Sequence, residues 1–401
     1  TTTWKLTINK IIKKYSKIKI KKISTWILNI LRMGIYQIIF LDKIPVSAAV
    51  NESVTLAKRY GHKSSSSFVN AILRQVTKKD YEDFYKIEDD IQRISVTNSM
   101  PIWIIEELLK ELSIEEVEQI AKKSNLRPNL TIRVNALKIT KNELIKKLEE
   151  KDIKIKQGLL EDFLIIENAK NIENMSEFKE GFFTIQDETA GFIPTILQPE
   201  KTDEILDACS SPGGKTTYLA EMMENKGRIE AWDIHEHRTK LVENTAKRLG
   251  VTNIETKVKD ATICDGKYIE KFDKILLDVP CLGIGVLKRK PDIKWQKNKE
   301  DIKDITRTQK QILKVCSQYL KKGGKLVYST CSILKEENEN IINEFLHKHN
   351  DFCTEEINLK ENEKIQNKDF FEKYKNNSNF LQIYQNDKTD GFFICKLKKK
   401  K

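Results

Sequence analysis

Phe272-Asp-Lys-Ile-Leu-Leu-Asp278, continued by Val-Pro-Cys281, is the stretch that decides the fold. This run reads as a strand, and Asp278-Val-Pro-Cys281 closes it with a cysteine at its end. A second run, Lys325-Leu-Val-Tyr-Ser-Thr-Cys331, also ends on a cysteine, and Asp207-Ala-Cys-Ser-Ser-Pro-Gly-Gly-Lys-Thr216 forms a third loop after a strand. Outward from these, strands at about 203–208, 228–233, 254–258, 272–277 and 325–330 alternate with helical stretches such as 235–249 and 300–321. That repetition predicts a mainly parallel, doubly wound α/β sheet. Ligands of such sheets sit beyond the carboxyl ends of the strands. With neighbouring strands roughly 4.8 Å apart, both thiols and a carboxylate would meet in one crevice.

Upstream the pattern changes twice. Pro45 to Tyr60 places Val46, Ala49, Val50, Val54 and Ala57 at helical spacing, with Gly61 as a stop. Further helices are expected from Ser67 to Arg74 and from Pro101 to Lys110, so residues 1–120 read as an all-α domain. From about Leu126 the period shortens. Leu130–Asn135, Ile153–Lys156, Phe163–Glu167 and Gly181–Gln186 look like strands, and Thr140 to Glu143 is a capping box opening a helix. Residues 126–185 therefore form a small α/β module of the ferredoxin-like or RRM-like kind, and 186–398 hold the doubly wound domain.

Charge is unevenly spread. The 401 residues carry a net +12, yet residues 1–79 hold sixteen Lys and Arg against only Asp42 and Glu52. The rest is close to neutral, with 55 basic and 57 acidic residues. A basic first fifth is the footprint of a domain facing phosphates. No apolar run approaches the ~18 residues needed to span a membrane, so a cytoplasmic protein is expected. Seven cysteines without metal-type spacing point to free thiols in a reducing compartment, and no metal site is expected. The sequence does not give the oligomeric state; a monomer is expected.

Cys209-Ser-Ser-Pro-Gly-Gly-Lys-Thr216 ends like a phosphate loop, but the Walker pattern needs glycine where Cys209 stands. That excludes a nucleoside-triphosphate enzyme of the P-loop type. What remains is a tight strand-to-helix turn that lets backbone approach a ligand closely. Asp233, Asp260 and Asp278 end successive strands; a carboxylate there can accept hydrogen bonds from ribose hydroxyls.

Together, Asp-Ala-Cys-Ser-Ser-Pro-Gly-Gly-Lys (207–215), Asp-Val-Pro-Cys (278–281) and Ser-Thr-Cys-Ser (329–332) resemble the S-adenosylmethionine-dependent RNA cytosine-C5 methyltransferases, which have a Rossmann-like class I domain. Pro-Val-Ser-Ala-Ala-Val-Asn-Glu (45–52) and Phe-Val-Asn-Ala-Ile-Leu-Arg (68–74) resemble the NusB-like RNA-binding domain, which marks the bacterial branch acting on small-subunit ribosomal RNA. Members of that branch carry further helices before the point where this chain starts on Thr1, so its helical domain is expected to be N-terminally incomplete.

The resemblance implies that Cys331 is the nucleophile, that Asp278 bonds the N3 edge of the base and that Cys281 helps collapse the adduct. It implies S-adenosyl-L-methionine held by Cys209, Ser210, Ser211, Pro212, Gly213, Gly214, Lys215, Asp233, Asp260 and Asp278. Lys215 is also a candidate for lowering the pKa of Cys331, which a positive neighbour can do. Cys209, Cys264, Cys316, Cys353 and Cys395 are expected to be buried packing residues. Lys288, Arg289 and Lys290, close after the first cysteine and before Trp295, suit contact with RNA backbone and an unstacked base. The rival is a non-catalytic RNA-binding assembly factor on the same fold, but a scaffold has no need of Cys331, Cys281 and Asp278 together.

Overall fold

A computed structural model describes residues 1–359, 361–372, 375–376 and 379–401. The chain divides into two compact units, 1–126 with 290–299, and 127–289 with 300–401.

The first unit is helical. Its main helices run Lys5–Tyr15, Thr25–Phe40, Val46–Tyr60, Lys63–Leu73, Asp90–Asn98, Ile102–Leu108 and Ile114–Lys123. Ile8, Ile11 and Ile12 face Leu31, Ile35 and Ile38 in a core completed by Ala49, Val50, Ala57, Val69 and Leu73. These residues recur at the three- and four-residue spacing that makes one apolar stripe. The fourth helix starts at Lys63, not at Ser67 as the sequence suggests, because Ser65 Oγ accepts the His62 backbone N–H and draws the serine run into the first turn. The segment Lys290–Lys299, which the sequence places with the doubly wound domain, packs in this helical unit. There Lys294 is buried and donates to Asn125 Oδ1 at 2.7 Å, and Trp295 Nε1 donates to the Thr2 carbonyl at 2.9 Å.

The second unit opens with four antiparallel strands, β1 (Leu130–Val134), β2 (Lys154–Gln157), β3 (Phe163–Glu167) and β4 (Phe183–Ile185), in the order β2-β3-β1-β4. Helix Lys141–Glu149 begins at the expected box, Thr140 and Glu143 satisfying each other's end of the turn. The order is that of a ferredoxin-like sheet.

The large sheet contains β5 (Glu204–Asp207), β6 (Arg228–Asp233), β7 (Ile254–Val258), β8 (Phe272–Asp278), β9 (Leu320–Thr330), β10 (Phe352–Thr354), β11 (Lys375–Asn376), β12 (Phe380–Ile383) and β13 (Phe392–Lys399). Its path is β11-β12-β13-β9-β8-β5-β6-β7, with β10 on β13. The strands β9-β8-β5-β6-β7 are parallel and β13 runs antiparallel to β9. The alternation of side chains puts Ile205, Leu276 and Val327 in one core and Leu206, Ile275, Leu277, Leu326 and Tyr328 in the other. Both faces are buried, as the unbroken apolar runs require. β9 starts at Leu320, inside the expected helix, and its ladder with β8 shifts register between Phe272 and Lys274; Gly323, at φ +80°, lies in this irregular part.

Candidate active site

The carboxyl ends of β5, β6, β7, β8 and β9 form one rim. After β5, the turn Ala208–Gly213 delivers helix Gly214–Met222. Gly213 sits at φ +101°, and a Cβ on it would lie 3.1 Å from the Val242 backbone, so both conformation and space call for glycine. Ser210 is tied down through its N–H and its hydroxyl, each 2.9 Å from the Trp232 carbonyl. Ser211, Gly214 and Lys215 are half-buried and Pro212 is exposed on this turn. Cys209 is half-buried too, and burial pushes its thiol well up. Asp207 was not singled out in the sequence. Its Oδ2 accepts the Thr216 hydroxyl at 2.7 Å, while Oδ1 is buried with no protein partner among the described residues. Burial pushes this carboxyl up to about 7.

The other strand-end acids differ in character. Asp233, on β6, accepts the His235 N–H at 3.1 Å and faces Arg238 Nε at 3.2 Å. Ile234 beside it is exposed. Asp260, after β7, accepts both the N–H and the hydroxyl of Thr262, a local turn. Asp278, at the end of β8, is opposite Ser329 on β9 and accepts its hydroxyl at 3.0 Å; its other oxygen pairs with Lys215 Nζ at 2.6 Å. Burial disfavours the Lys215 charge, but Asp278 outweighs it and holds the ammonium above its ordinary pKa.

Cys281 and Cys331 meet. Their Sγ atoms are 3.0 Å apart. The neighbouring Cys331 sulfur, then burial, push the Cys281 thiol well up, so Cys281 holds its proton at neutral pH. The two loops approach closely: Gly285 N–H donates to the Cys331 carbonyl at 2.9 Å, and a Cβ on Gly285 would stand 2.7 Å from that oxygen. Glu337 joins them as well. Its carboxylate accepts the Leu282 N–H and the Gln309 side chain, each at 2.9 Å, and the Ser332 hydroxyl. Sequence reasoning missed Glu337 and Gln309, since neither lies in a strand-end motif.

Lys288 and Arg289 are committed to protein partners. Lys288 Nζ donates to the carbonyls of Asn386 and Thr389, and Arg289 pairs with Asp390 and Asp187. Lys290 is exposed. Among the other cysteines, Cys316 and Cys395 are buried and Cys353 is half-buried, but Cys264 is exposed; expected to be a packing residue, it lies on the loop after β7 outside the sheet.

The small module reaches the rim through Arg133 of β1, which is fully buried. Its guanidinium pairs with Glu221 at 2.6 Å, donates to the Gly214 carbonyl at 2.7 Å and to Thr217 Oγ1 at 3.1 Å, and bonds Gln186. A strand of one sheet thus fixes the helix that leaves the glycine turn. Among the described residues no cluster of three or more His, Cys, Asp or Glu could hold a metal ion, and no helix is long and apolar enough to cross a membrane.

A family model described as 16S rRNA methyltransferase RsmB/F matches residues 194–398, the NusB family matches 1–78, and an RsmF/B-like ferredoxin-like domain matches 100–173. The probable ribosomal RNA small subunit methyltransferase B of Bacillus subtilis (strain 168) is 35% identical over 95% of this chain and 85% of its own length. The crystal structure of PH0851 superposes with a TM-score of 0.83 at 28% identity, covering 99% of this chain and 88% of that one. The structure of NSun6 from Pyrococcus horikoshii with SFG has a TM-score of 0.65 at 24% identity, covering 76% of this chain and 99% of that one.

Proposed function

The chain belongs to the 16S rRNA methyltransferase RsmB/F family, and on that premise we propose that it methylates C5 of a cytosine in small-subunit ribosomal RNA through a covalent bond between Cys331 and C6. The observation that carries this reading is the 3.0 Å approach of the Cys281 and Cys331 sulfurs at the strand ends that also hold the Asp278–Lys215 pair.

S-adenosyl-L-methionine is the methyl donor in this reading, and the rim fits it. Asp207 keeps an unpartnered buried oxygen there, Gly213 packed on Val242 fixes the turn that presents half-buried Ser211 and Gly214, and Asp233 can take a ribose beside the apolar surface of Ile234. Ser210, Ser211, Gly214, Lys215, Asp260 and Asp278 complete the set of residues that would hold it. The group supplies an electrophilic methyl on a sulfonium.

The chain's own residues then do the following. C5 of cytosine is too weak a nucleophile alone. Cys331 as thiolate adds to C6, its electron pair forming the S–C bond while the C5=C6 pair moves onto C5. Asp278 bonds the N3 edge, and the electron pair on C5 takes the methyl group as the methyl–sulfur bond breaks and leaves its pair on the donor's sulfur. The chief cause of the raised Cys281 pKa is the neighbouring Cys331 sulfur. Bonding of that sulfur to carbon removes this one cause, while burial and the carboxylates of Glu337 and Asp278 remain; the Cys281 proton passes to solvent before its sulfur acts as a base. As thiolate it removes the C5 proton; the C5=C6 bond reforms and Cys331 leaves as thiolate. The base must be flipped or unpaired, because C6 is unreachable in a stacked helix. Lys290 contacts phosphate, while Lys288 and Arg289 hold the loop that carries Cys281.

Incubation with substrate RNA and S-adenosylmethionine, followed by denaturing electrophoresis, tests the reading. Cys331→Ala should give no methylation and no protein–RNA adduct. Cys281→Ala should still attack and methylate, then stall as an adduct. An adduct with Cys331→Ala, or none with Cys281→Ala, would reverse or sink the assignment.

A further inference from the structure

The two sulfurs on the rim are in contact. Cys281 Sγ and Cys331 Sγ stand 3.0 Å apart, and both residues are half-buried, so a small oxidant can reach them. The protein itself holds them together. Gly285 ties the Cys281 loop to the Cys331 carbonyl, and the Glu337 carboxylate takes the residue after each cysteine, Leu282 through its N–H and Ser332 through its hydroxyl. Methyl transfer asks both sulfurs to reach one base. It does not ask them to reach each other.

We propose that this pair is a reversible oxidation site, at which a hydroperoxide links Cys281 to Cys331 and stops methyl transfer until a dithiol restores it. The effect on turnover rests on the reading of Cys331 as the nucleophile; the linkage does not. A thiolate is the form of cysteine that peroxide attacks, and covalent catalysis requires Cys331 to take that form. Its sulfur attacks one peroxide oxygen, the S–O bond forming as the O–O bond breaks. The departing hydroxide takes a proton and becomes water, leaving a sulfenic acid on Cys331. The Cys281 sulfur then attacks the Cys331 sulfur, and the S–S bond forms as the S–O bond breaks. This second hydroxide leaves as water with the Cys281 proton. The thiol pair has lost two electrons and two protons, and hydrogen peroxide has become two waters. The sulfurs close by about 1 Å to bond, a movement that side-chain rotation can make. A thiol this near also traps the sulfenic acid before more peroxide carries it to the irreversible sulfinic acid.

The test treats the full chain, reduced and freed of reductant, with graded hydrogen peroxide. Three readings follow: thiol titration in denaturant, mass-spectrometric peptide mapping without reduction, and methyl incorporation into substrate RNA. Two of the seven thiols should disappear together, and the Cys281 and Cys331 peptides should appear joined. Methylation should fall in proportion to the joined fraction and return with dithiothreitol. In Cys281→Ala, Cys331 should instead pass to sulfinic acid, which dithiothreitol does not reduce. The parent's peptide map carries the test even if that variant folds poorly. Two results would overturn the proposal: no joined peptide at peroxide levels that oxidise the exposed Cys264, or loss of methylation without the link. The adduct of reduced Cys281→Ala, assayed in parallel, separates the two readings. No link in the parent with a normal adduct rejects the oxidation site alone; a link with no adduct rejects the nucleophile assignment and leaves the oxidation site standing.

Discussion

Glu337→Ala should uncouple the two cysteine loops. In the native chain one buried carboxylate holds the residue after Cys281 and the residue after Cys331, with Gln309 as a third donor that also reaches the Pro280 carbonyl at 2.9 Å. Alanine removes every acceptor, leaving the Leu282 N–H and the Ser332 hydroxyl proton without one, while the Gln309 amide keeps only the Pro280 carbonyl. Each orphaned donor costs about 1–3 kcal/mol. Partial relaxation and entry of water bring the sum to roughly 3–5 kcal/mol, or about 6–20 °C in Tm at the 2–4 °C per kcal/mol typical of larger domains. Turnover should suffer beyond that, because a misplacement of about 1 Å between reacting groups costs on the order of 100-fold. Glu337→Gln keeps the shape and one acceptor oxygen but turns an NH₂ toward at least one donor. Its Tm loss should be less than half that of alanine, while turnover still falls about tenfold. The assays are thermal melts, tritiated methyl incorporation at a temperature where both variants are folded, and S-adenosylmethionine affinity, which should change little. An alanine variant that melts with the parent refutes the packing argument. One that melts early yet turns over normally when folded refutes the link to the cysteines.

Asp278→Asn should lower turnover far more than RNA affinity, and it also leaves the mostly buried Lys215 without its counter-charge; equal losses in kcat and RNA Kd would assign Asp278 a positioning role instead. Lys294 is pushed down to about 7 by burial. Its folded pKa thus lies below the ordinary ~10.4 of an unfolded lysine, so the unfolded state binds more protons between these values and stability contributed by the neutral amine is lost as pH falls from about 10.4 to 7. Lys294→Met should raise Tm at pH 7 and flatten the rise in Tm from pH 7 to 10, an effect of up to about 4 kcal/mol at 1.36 per unit. Parallel Tm–pH curves for parent and variant would show the amine to be solvated.

The five parallel strands could be read from the chain because their patterning is local. Phe272–Asp278 and Leu326–Thr330 are apolar runs bounded by chemistry that stops a strand, so the placement of both cysteines at strand ends follows. The helix start at Lys141 is likewise local, capped by Thr140; the starts at Asp90 and Ile114, capped by Asp89 and Ser113, were not among the expected elements. The basic first fifth was also legible, as charge is a sum over residues. The antiparallel edge formed by β12 and β13 was not anticipated, because its pairing with β9 joins residues more than fifty positions apart. Nor could local pattern show that Cys264 is exposed or that Lys288 and Arg289 bond Asn386, Thr389, Asp390 and Asp187.

By itself, then, the sequence determined the alternation of the five parallel strands with helices, the strand-end place of both cysteines and Asp278, and the chemistry two thiols and an acid can perform, since these depend on period and on residue type. Only the tertiary structure decided the contacts that set geometry. The 3.0 Å thiol pair, the Glu337 bridge, Arg133 buried against Glu221 and Gly214, and Trp295 returning to the helical unit each join segments far apart in the chain. Such contacts are selected by how whole elements pack, and no window of residues encodes them.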